Sequence, residues 1–211
     1  MREYSRLAPE YDSRWSFYVE ASTEETLARL RPEAVTSVLD VGCGTGALLE
    51  RLARRHPEAA LAGVDPVAEM LAVARSRLSP DVDLRQGWAE QLPFADDSFD
   101  VVTSCNMFHY LREPRAALRE MGRVLRVGGQ LLVTDWCDDY LACRIVDWYL
   151  RLVSPAHVKV YGQRECLRLL AEAGQPQAEI ERYKISWRWG LMTASAVQRP
   201  AVDGEGGSWN E

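Results

Sequence analysis

The chain has 211 residues, 47% of them apolar and 27% charged, which is enough for one domain with a full hydrophobic core. Its 31 acidic and 25 basic residues give a formal net charge of −6, which offers neither the basic footprint of a nucleic-acid binder nor a polybasic membrane patch. No apolar run approaches the roughly 20 residues that span a bilayer, and the start, Met1-Arg2-Glu3-Tyr4-Ser5, carries no apolar leader. Five cysteines without a CxxC spacing imply reduced thiols in a cytoplasmic protein rather than a disulfide framework or a zinc site.

Ser22-Thr23-Glu24-Glu25 reads as a capping box, with Leu27 and Leu30 on one face of a helix ending near Arg31-Pro32. Residues 1–33 are thus expected to form an amino-terminal helical cap. Val35 to Val41 is short, β-branched and mostly apolar, as a buried parallel strand must be. A glycine-rich turn follows, then a helix turning Leu48, Leu49, Leu52 and Ala53 inward. Ala59 to Val64 reads as a second strand, and Val67, Met70, Leu71, Ala74 and Leu78 recur at helical spacing. Val82 to Gln86, Phe99 to Ser104 and Gln130 to Trp136 read as the third, fourth and fifth strands. The helix before the fifth packs Ala117, Leu118, Met121, Val124 and Leu125, and Gly128-Gly129 is expected to end it.

The last third breaks the alternation. Tyr140 to Val153 reads as an extra helix with Leu141, Ile145, Trp148, Tyr149 and Leu152 inward, so residues 137–160 form a helical insert over the substrate site. After a helix from Arg164 to Ala173, Tyr183, Ile185, Trp187 and Trp189 alternate with Lys184, Ser186 and Arg188 as in a strand, and Leu191 to Gln198 reads as its antiparallel partner. Residues 201–211 read as a flexible tail. The expected fold is one domain over residues 1–200. It is a doubly wound, Rossmann-like α/β arrangement of seven mostly parallel strands with one antiparallel edge strand.

Val38-Leu39-Asp40-Val41-Gly42-Cys43-Gly44-Thr45-Gly46 is the most informative stretch. Its glycines leave a strand and enter a helix, which lets the backbone turn tightly and approach a ligand. Asp65, at the tip of the second strand, is placed to accept hydrogen bonds from ribose hydroxyls; as the residue before Pro66 it also suits a helix start. A dinucleotide site uses similar geometry, and Ala47 stands where its third glycine or alanine would fall, so the loop alone does not decide. Asp40 does help, because a buried negative charge disfavours a pyrophosphate and suits the ammonium of an amino-acid moiety.

Val38 to Gly46 resembles the first motif of class I S-adenosylmethionine-dependent methyltransferases, and Gly63-Val64-Asp65 resembles their ribose-binding acid. Gly87 to Phe94, followed by Asp97 to Val102, is similar to the adenine-side loop and fourth strand; Leu118 to Leu132 is like the helix-turn-strand that closes the core. The resemblance spans about residues 35–135 and lies nearest the ubiquinone/menaquinone-biosynthesis-like, small-molecule branch. It implies that Gly42, Cys43 and Gly44 line the methionine part of S-adenosylmethionine, with Asp40 near its amino group and Asp65 on the ribose. Pro66 and Val67 flank the adenine, with the Ala89 backbone at its edge. Cys105 and Asn106 face the sulfonium end, and Tyr11 folds over the cofactor. Trp88 departs from the family, which usually has an acid there: an indole donates only. Trp88 therefore packs on the adenine face, or Glu90 or water replaces the acceptor.

For proton transfer the candidates are His109 and Asp135, at the carboxyl edge of the fourth and fifth strands, and His157 in the insert. His56 reads as structural. Cys137 and Cys143 lack the neighbours of a metalloid methylation site, and no Asn/Asp-Pro-Pro-aromatic signature of amino methylation follows the fourth strand. The aromatic-rich insert suits a planar or apolar small-molecule acceptor, methylated on oxygen or carbon, with no nucleic acid as partner and a monomer or homodimer as the assembly. A non-catalytic cofactor-binding domain, a protein or RNA methyltransferase and a nicotinamide oxidoreductase are the rivals.

Overall fold

The apolar β-branched runs become strands buried on both faces, and the central one shows why. In the computed structural model, which describes residues 11–31, 35–154, 156–187 and 189–200, β1 (Ser37–Val41) is buried at all five positions. Pleating sends Leu39 and Val41 into one apolar layer and Val38 into the other. The remaining strands are β2 (Ala60–Asp65), β3 (Asp83–Gln86), β4 (Phe99–Cys105), β5 (Leu125–Trp136), β6 (Glu179–Lys184) and β7 (Gly190–Val197). They lie in the order β3-β2-β1-β4-β5-β7-β6. β1 to β5 run parallel; β7 pairs antiparallel with both β5 and β6, giving the mostly parallel sheet with an antiparallel edge hairpin. The order reverses between β1 and β4, and a crevice opens outside the carboxyl ends of strands at such a point.

On one face α1 (Tyr11–Ala28), α2 (Ala47–Arg55) and α3 (Ala68–Arg77) contribute Leu27, Leu48, Leu49, Leu52, Leu71 and Ala74 to the core. On the other, α4 (Pro114–Val124) and α6 (Gln163–Glu172) bury Ala117, Leu118, Met121, Leu169 and Leu170. α5 (Leu141–Val153) stands between β5 and α6 in sequence.

Four local expectations change. Ser22 is no cap: α1 is already helical before it, with a break at Trp15 (φ −115°, ψ 17°). The Ser22 hydroxyl instead donates back to the Tyr18 carbonyl at 2.8 Å, and the helix stops at Ala28. α4 stops at Val124 because Leu125 already pairs with Phe99; Gly128-Gly129 then absorbs a bulge before Gln130 pairs with Val101. The alternating aromatics belong mostly to a turn, since the Ile185 N–H bonds the Trp189 carbonyl at 3.0 Å and closes the β6–β7 hairpin. Lastly, α5 is rotated from its expected phase. Leu141, Ile145, Trp148, Tyr149 and Leu152 are exposed, while Cys143 and Asp147 face inward. Val146 and Leu150 pack beside them against Trp136, Val160 and Leu191, so the buried stripe keeps helical spacing in a shifted phase. The tail 201–211 and residues 1–10 and 32–34 of the expected cap lie outside the described residues.

Gly63 lets β2 pass between α2 and β3: an added Cβ would lie 2.8 Å from Cys43 Sγ and Leu49 Cδ1, and 2.9 Å from Leu84 Cδ2. Gly63→Ala is therefore expected to cost ~1–3 kcal/mol by overpacking, read as a lowered midpoint in urea unfolding at unchanged slope.

Candidate cofactor site

The loop after β1 reverses under tight constraint. Gly42 takes φ +77°, its N–H and that of Cys43 both reach the Val64 carbonyl (2.7 and 3.0 Å), and a Cβ on it would lie 2.4 Å from Met107 Cγ. Gly46, at φ +80°, opens α2 against Leu78. Gly44 has open space around it and faces a cavity of about 480 Å³ at the reversal point of the sheet.

Asp65 ties this loop to the tip of β2. Its Oδ2 accepts the Gly44 N–H at 3.0 Å and its Oδ1 the Val67 N–H at 2.8 Å, so the loop-closing and helix-starting roles coexist. Each carboxylate oxygen keeps a further lone pair for a ligand hydroxyl. Burial raises its pKa, opposed by the two N–H bonds. Asp40, also buried, accepts the Thr103 hydroxyl at 2.8 Å. Burial, with Asp65 nearby, pushes its carboxyl up to about 7.

Asn106 completes this end. It holds a left-handed φ of +60°, a conformation costing a non-glycine residue of order ~1–3 kcal/mol. Its Nδ2 donates to Ser22 Oγ at 2.6 Å, leaving Oδ1 buried with no partner. Such an orphaned acceptor suits a ligand that brings its own N–H donor. Cys105 beside it receives the Thr26 hydroxyl, and burial lifts its thiol to about 12, so it serves as wall rather than nucleophile.

Every residue that the sequence marked for the cofactor lines this one cavity: Tyr11, Asp40, Gly42, Cys43, Gly44, Asp65, Pro66, Val67, Trp88, Ala89, Cys105 and Asn106. Tyr11 packs against Val67 and Met70, and Trp88 is 58% exposed at the rim, near Glu90. The three proton-transfer candidates stand behind the wall instead. His109 Nδ1 lies 2.7 Å from Asp135 Oδ1, its N–H bonds Asp135 Oδ2 at 2.9 Å, and its carbonyl accepts the Val158 and Lys159 N–H groups. His157 Nε2 lies 2.7 Å from Asp147 Oδ1. Val19, Thr23, Tyr110, Leu111, Arg112 and Ala156 also line the cavity. The sequence did not reveal Tyr110, because the 3-10 turn Phe108–Tyr110 decides which of three consecutive rings faces the cavity. The charges fit an adenosyl amino acid: carboxylates at both ends of the glycine loop repel a pyrophosphate, whereas Asp40 and the Asn106 Oδ1 suit an ammonium.

The geometry is that of an α/β crevice at the carboxyl ends of the strands, with two buried carboxylates beside a glycine turn. The Methyltransferase domain family matches residues 39–133. A Demethylmenaquinone methyltransferase of Listeria monocytogenes is 34% identical over 171 residues, covering 76% of this chain and 72% of that protein. An uncharacterized methyltransferase of Mycobacterium tuberculosis is 42% identical over 118 residues; the alignment covers 56% of this chain and 47% of the relative, so it spans about half the relative's length. Among solved structures, a putative Haloferax volcanii methyltransferase, in complex with the Trm112 methyltransferase activator, shares the fold at TM-score 0.82 and 22% identity, covering 94% of this chain and 98% of that one. The chain belongs to the class I S-adenosylmethionine-dependent methyltransferases, and S-adenosylmethionine is the cofactor that its cavity fits.

Asp65→Ala is expected to weaken S-adenosylhomocysteine binding at least ~10-fold, since a hydrogen bond to a charged group contributes ~1.5–3 kcal/mol; isothermal calorimetry reads it. Pairing of Asp40 with a ligand ammonium requires its ionised form. Wild-type affinity should therefore rise with pH and level off above about 7. A buried acid whose folded pKa is raised loses its stabilising contribution as pH climbs from the usual carboxylate range to that value. Asp40→Asn should accordingly raise Tm above pH 7, leave it unchanged in acid, and weaken the ligand at neutral pH.

Proposed function

We propose that the chain transfers the methyl group of S-adenosylmethionine to an oxygen or carbon atom of a small-molecule acceptor. The observation that carries this reading is one cavity lined by the Asp40 carboxylate, the Asp65 carboxylate that holds the glycine turn, and Asn106 with its orphaned Oδ1. Bound S-adenosylmethionine supplies a methyl carbon activated by a sulfonium. The chain's own residues hold and orient. Asp40 and Asn106 take the ammonium, Asp65 takes the ribose hydroxyls, and Pro66, Val67 and Ala89 flank the adenine with Trp88 on its open face. Tyr11 covers the cofactor from α1. Alignment of this kind can supply ~7–11 kcal/mol of the barrier, so most of the rate comes from position.

The acceptor end supports a small molecule. Tyr110, Leu111, Ala156 and Val19 give the cavity apolar lining for such an acceptor. The insert 137–160 roofs that end, within one catalytic unit. The name of the Listeria relative gives demethylmenaquinone as its acceptor, in keeping with this class.

Incubating the purified chain with methyl-tritiated donor and a panel of phenols, quinols and lipids tests the reading. Label should appear in the small-molecule fraction and vanish in Asp65→Ala. Label confined to added protein or RNA would overturn it.

A further inference from the structure

α5 buries a carboxylate, Asp147, within an inward stripe that otherwise consists of Cys143, Val146 and Leu150. Taking Asp147 out of water costs several kcal/mol unless it is fully paired. It is paired on all sides: Oδ1 accepts the Val160 N–H at 2.9 Å and lies 2.7 Å from His157 Nε2, while Oδ2 meets Arg151 at 2.5 Å. The carboxylate fixes the His157 tautomer with its proton on Nε2. That leaves Nδ1 as a bare lone pair, and it is buried with no partner. A carboxylate orienting an imidazole whose other nitrogen is free is the arrangement of a general base.

His157 is not alone in lacking a partner. The Tyr18 hydroxyl and the Trp136 and Trp189 indole N–H groups are also buried and unpaired. All four belong to one aromatic cluster: Trp136 lies 6.0 Å from Tyr18, 4.5 Å from Trp189 and 6.1 Å from the His157 ring, centroid to centroid. Native interiors satisfy the large majority of such atoms. Val19 and Ala156, sequence neighbours of Tyr18 and His157, line the acceptor end of the cavity. So does Tyr110, whose ring stands perpendicular to the imidazole at 6.4 Å.

We propose that this cluster is the acceptor subsite, reached past the Tyr110 ring, that it takes a planar acceptor bearing an aromatic hydroxyl, and that His157 is its base with Asp147 as positioning residue. The inference rests on the methyl-transfer reading above. The hydroxyl O–H bond breaks and its proton passes to His157 Nδ1; the oxygen forms a bond to the donor methyl, whose C–S bond breaks with the electron pair left on sulfur. Asp147 stabilises the imidazolium that results. Trp136, Trp189 and Tyr18 donate to the acceptor's oxygens. His109, with Nδ1 committed to Asp135, anchors the 158–159 backbone instead.

The groups facing His157 are Asp147 and Arg151 from α5, His109 (backed by Asp135) and Tyr110 from the 3-10 turn, and Tyr18 through Trp136. Burial, foremost, and the neighbouring His109 hold its pKa below the usual histidine value, against the pull of Asp147. The imidazole is therefore a free base at neutral pH.

The test is equilibrium binding of 4-nitrophenol to protein saturated with S-adenosylhomocysteine, followed by tryptophan fluorescence and by the nitrophenolate absorption band. Wild type should bind it saturably, quench the tryptophans and show more phenolate than free solution at the same pH. His157→Gln should bind at least ~10-fold more weakly and lose the excess phenolate; Asp147→Asn should shift the ionisation of the bound phenol to higher pH. Both variants should keep wild-type S-adenosylhomocysteine affinity, which also checks their folding. Saturable binding with an unchanged spectrum in His157→Gln, or no binding to the wild type, overturns the subsite. Failure of S-adenosylhomocysteine to bind the wild type overturns the methyltransferase reading itself and the subsite with it.

Discussion

The grip of Asp65 on the backbone of the glycine turn organises the molecule's working end. One carboxylate at the tip of β2 receives the Gly44 and Val67 N–H groups, joining the turn after β1 to the start of α3. With Gly42 and Cys43 bonded to the Val64 carbonyl, the two parallel strands are locked in register where their ends diverge. The open space beside Gly44 exists because this turn is pinned and no side chain fills it.

That arrangement costs stability. Asp40 is buried with only one side-chain donor, and burial raises its pKa to about 7; Asn106 adds a strained backbone and an unpaired oxygen. These local penalties fall on residues that line one cavity. The chain stores at its binding site a cost that its parallel core, buried on both faces, can bear.

Beside the cavity the same logic recurs. Asp147 and Asp135 are buried carboxylates that each hold a histidine, yet they differ in what they leave open. His109 is bound through its ring and its backbone on both sides, so it anchors the backbone at Val158 and Lys159. His157 is held at one nitrogen and keeps the other free.

Local chemistry determined much of this in advance. Apolar runs separated by helix-length connections specified a doubly wound sheet, because a strand covered on both faces must be apolar throughout. The glycine spacing with Asp40 and Asp65 located the cofactor cavity, because positive-φ turns and strand-tip acids are short-range requirements. Tertiary structure alone decided three things. The phase of α5 turns Cys143, Val146, Asp147 and Leu150 inward rather than Leu141, Ile145 or Trp148, since apolar residues stand on both sides of the helix and only its packing against Trp136, Val160 and Leu191 chooses between them. The choice of Tyr110 over His109 at the cavity wall comes from a single 3-10 turn. The convergence of Tyr18, Trp136, His157 and Trp189 unites residues up to 171 positions apart in sequence (189 − 18), and no local pattern encodes a contact made only when the sheet closes.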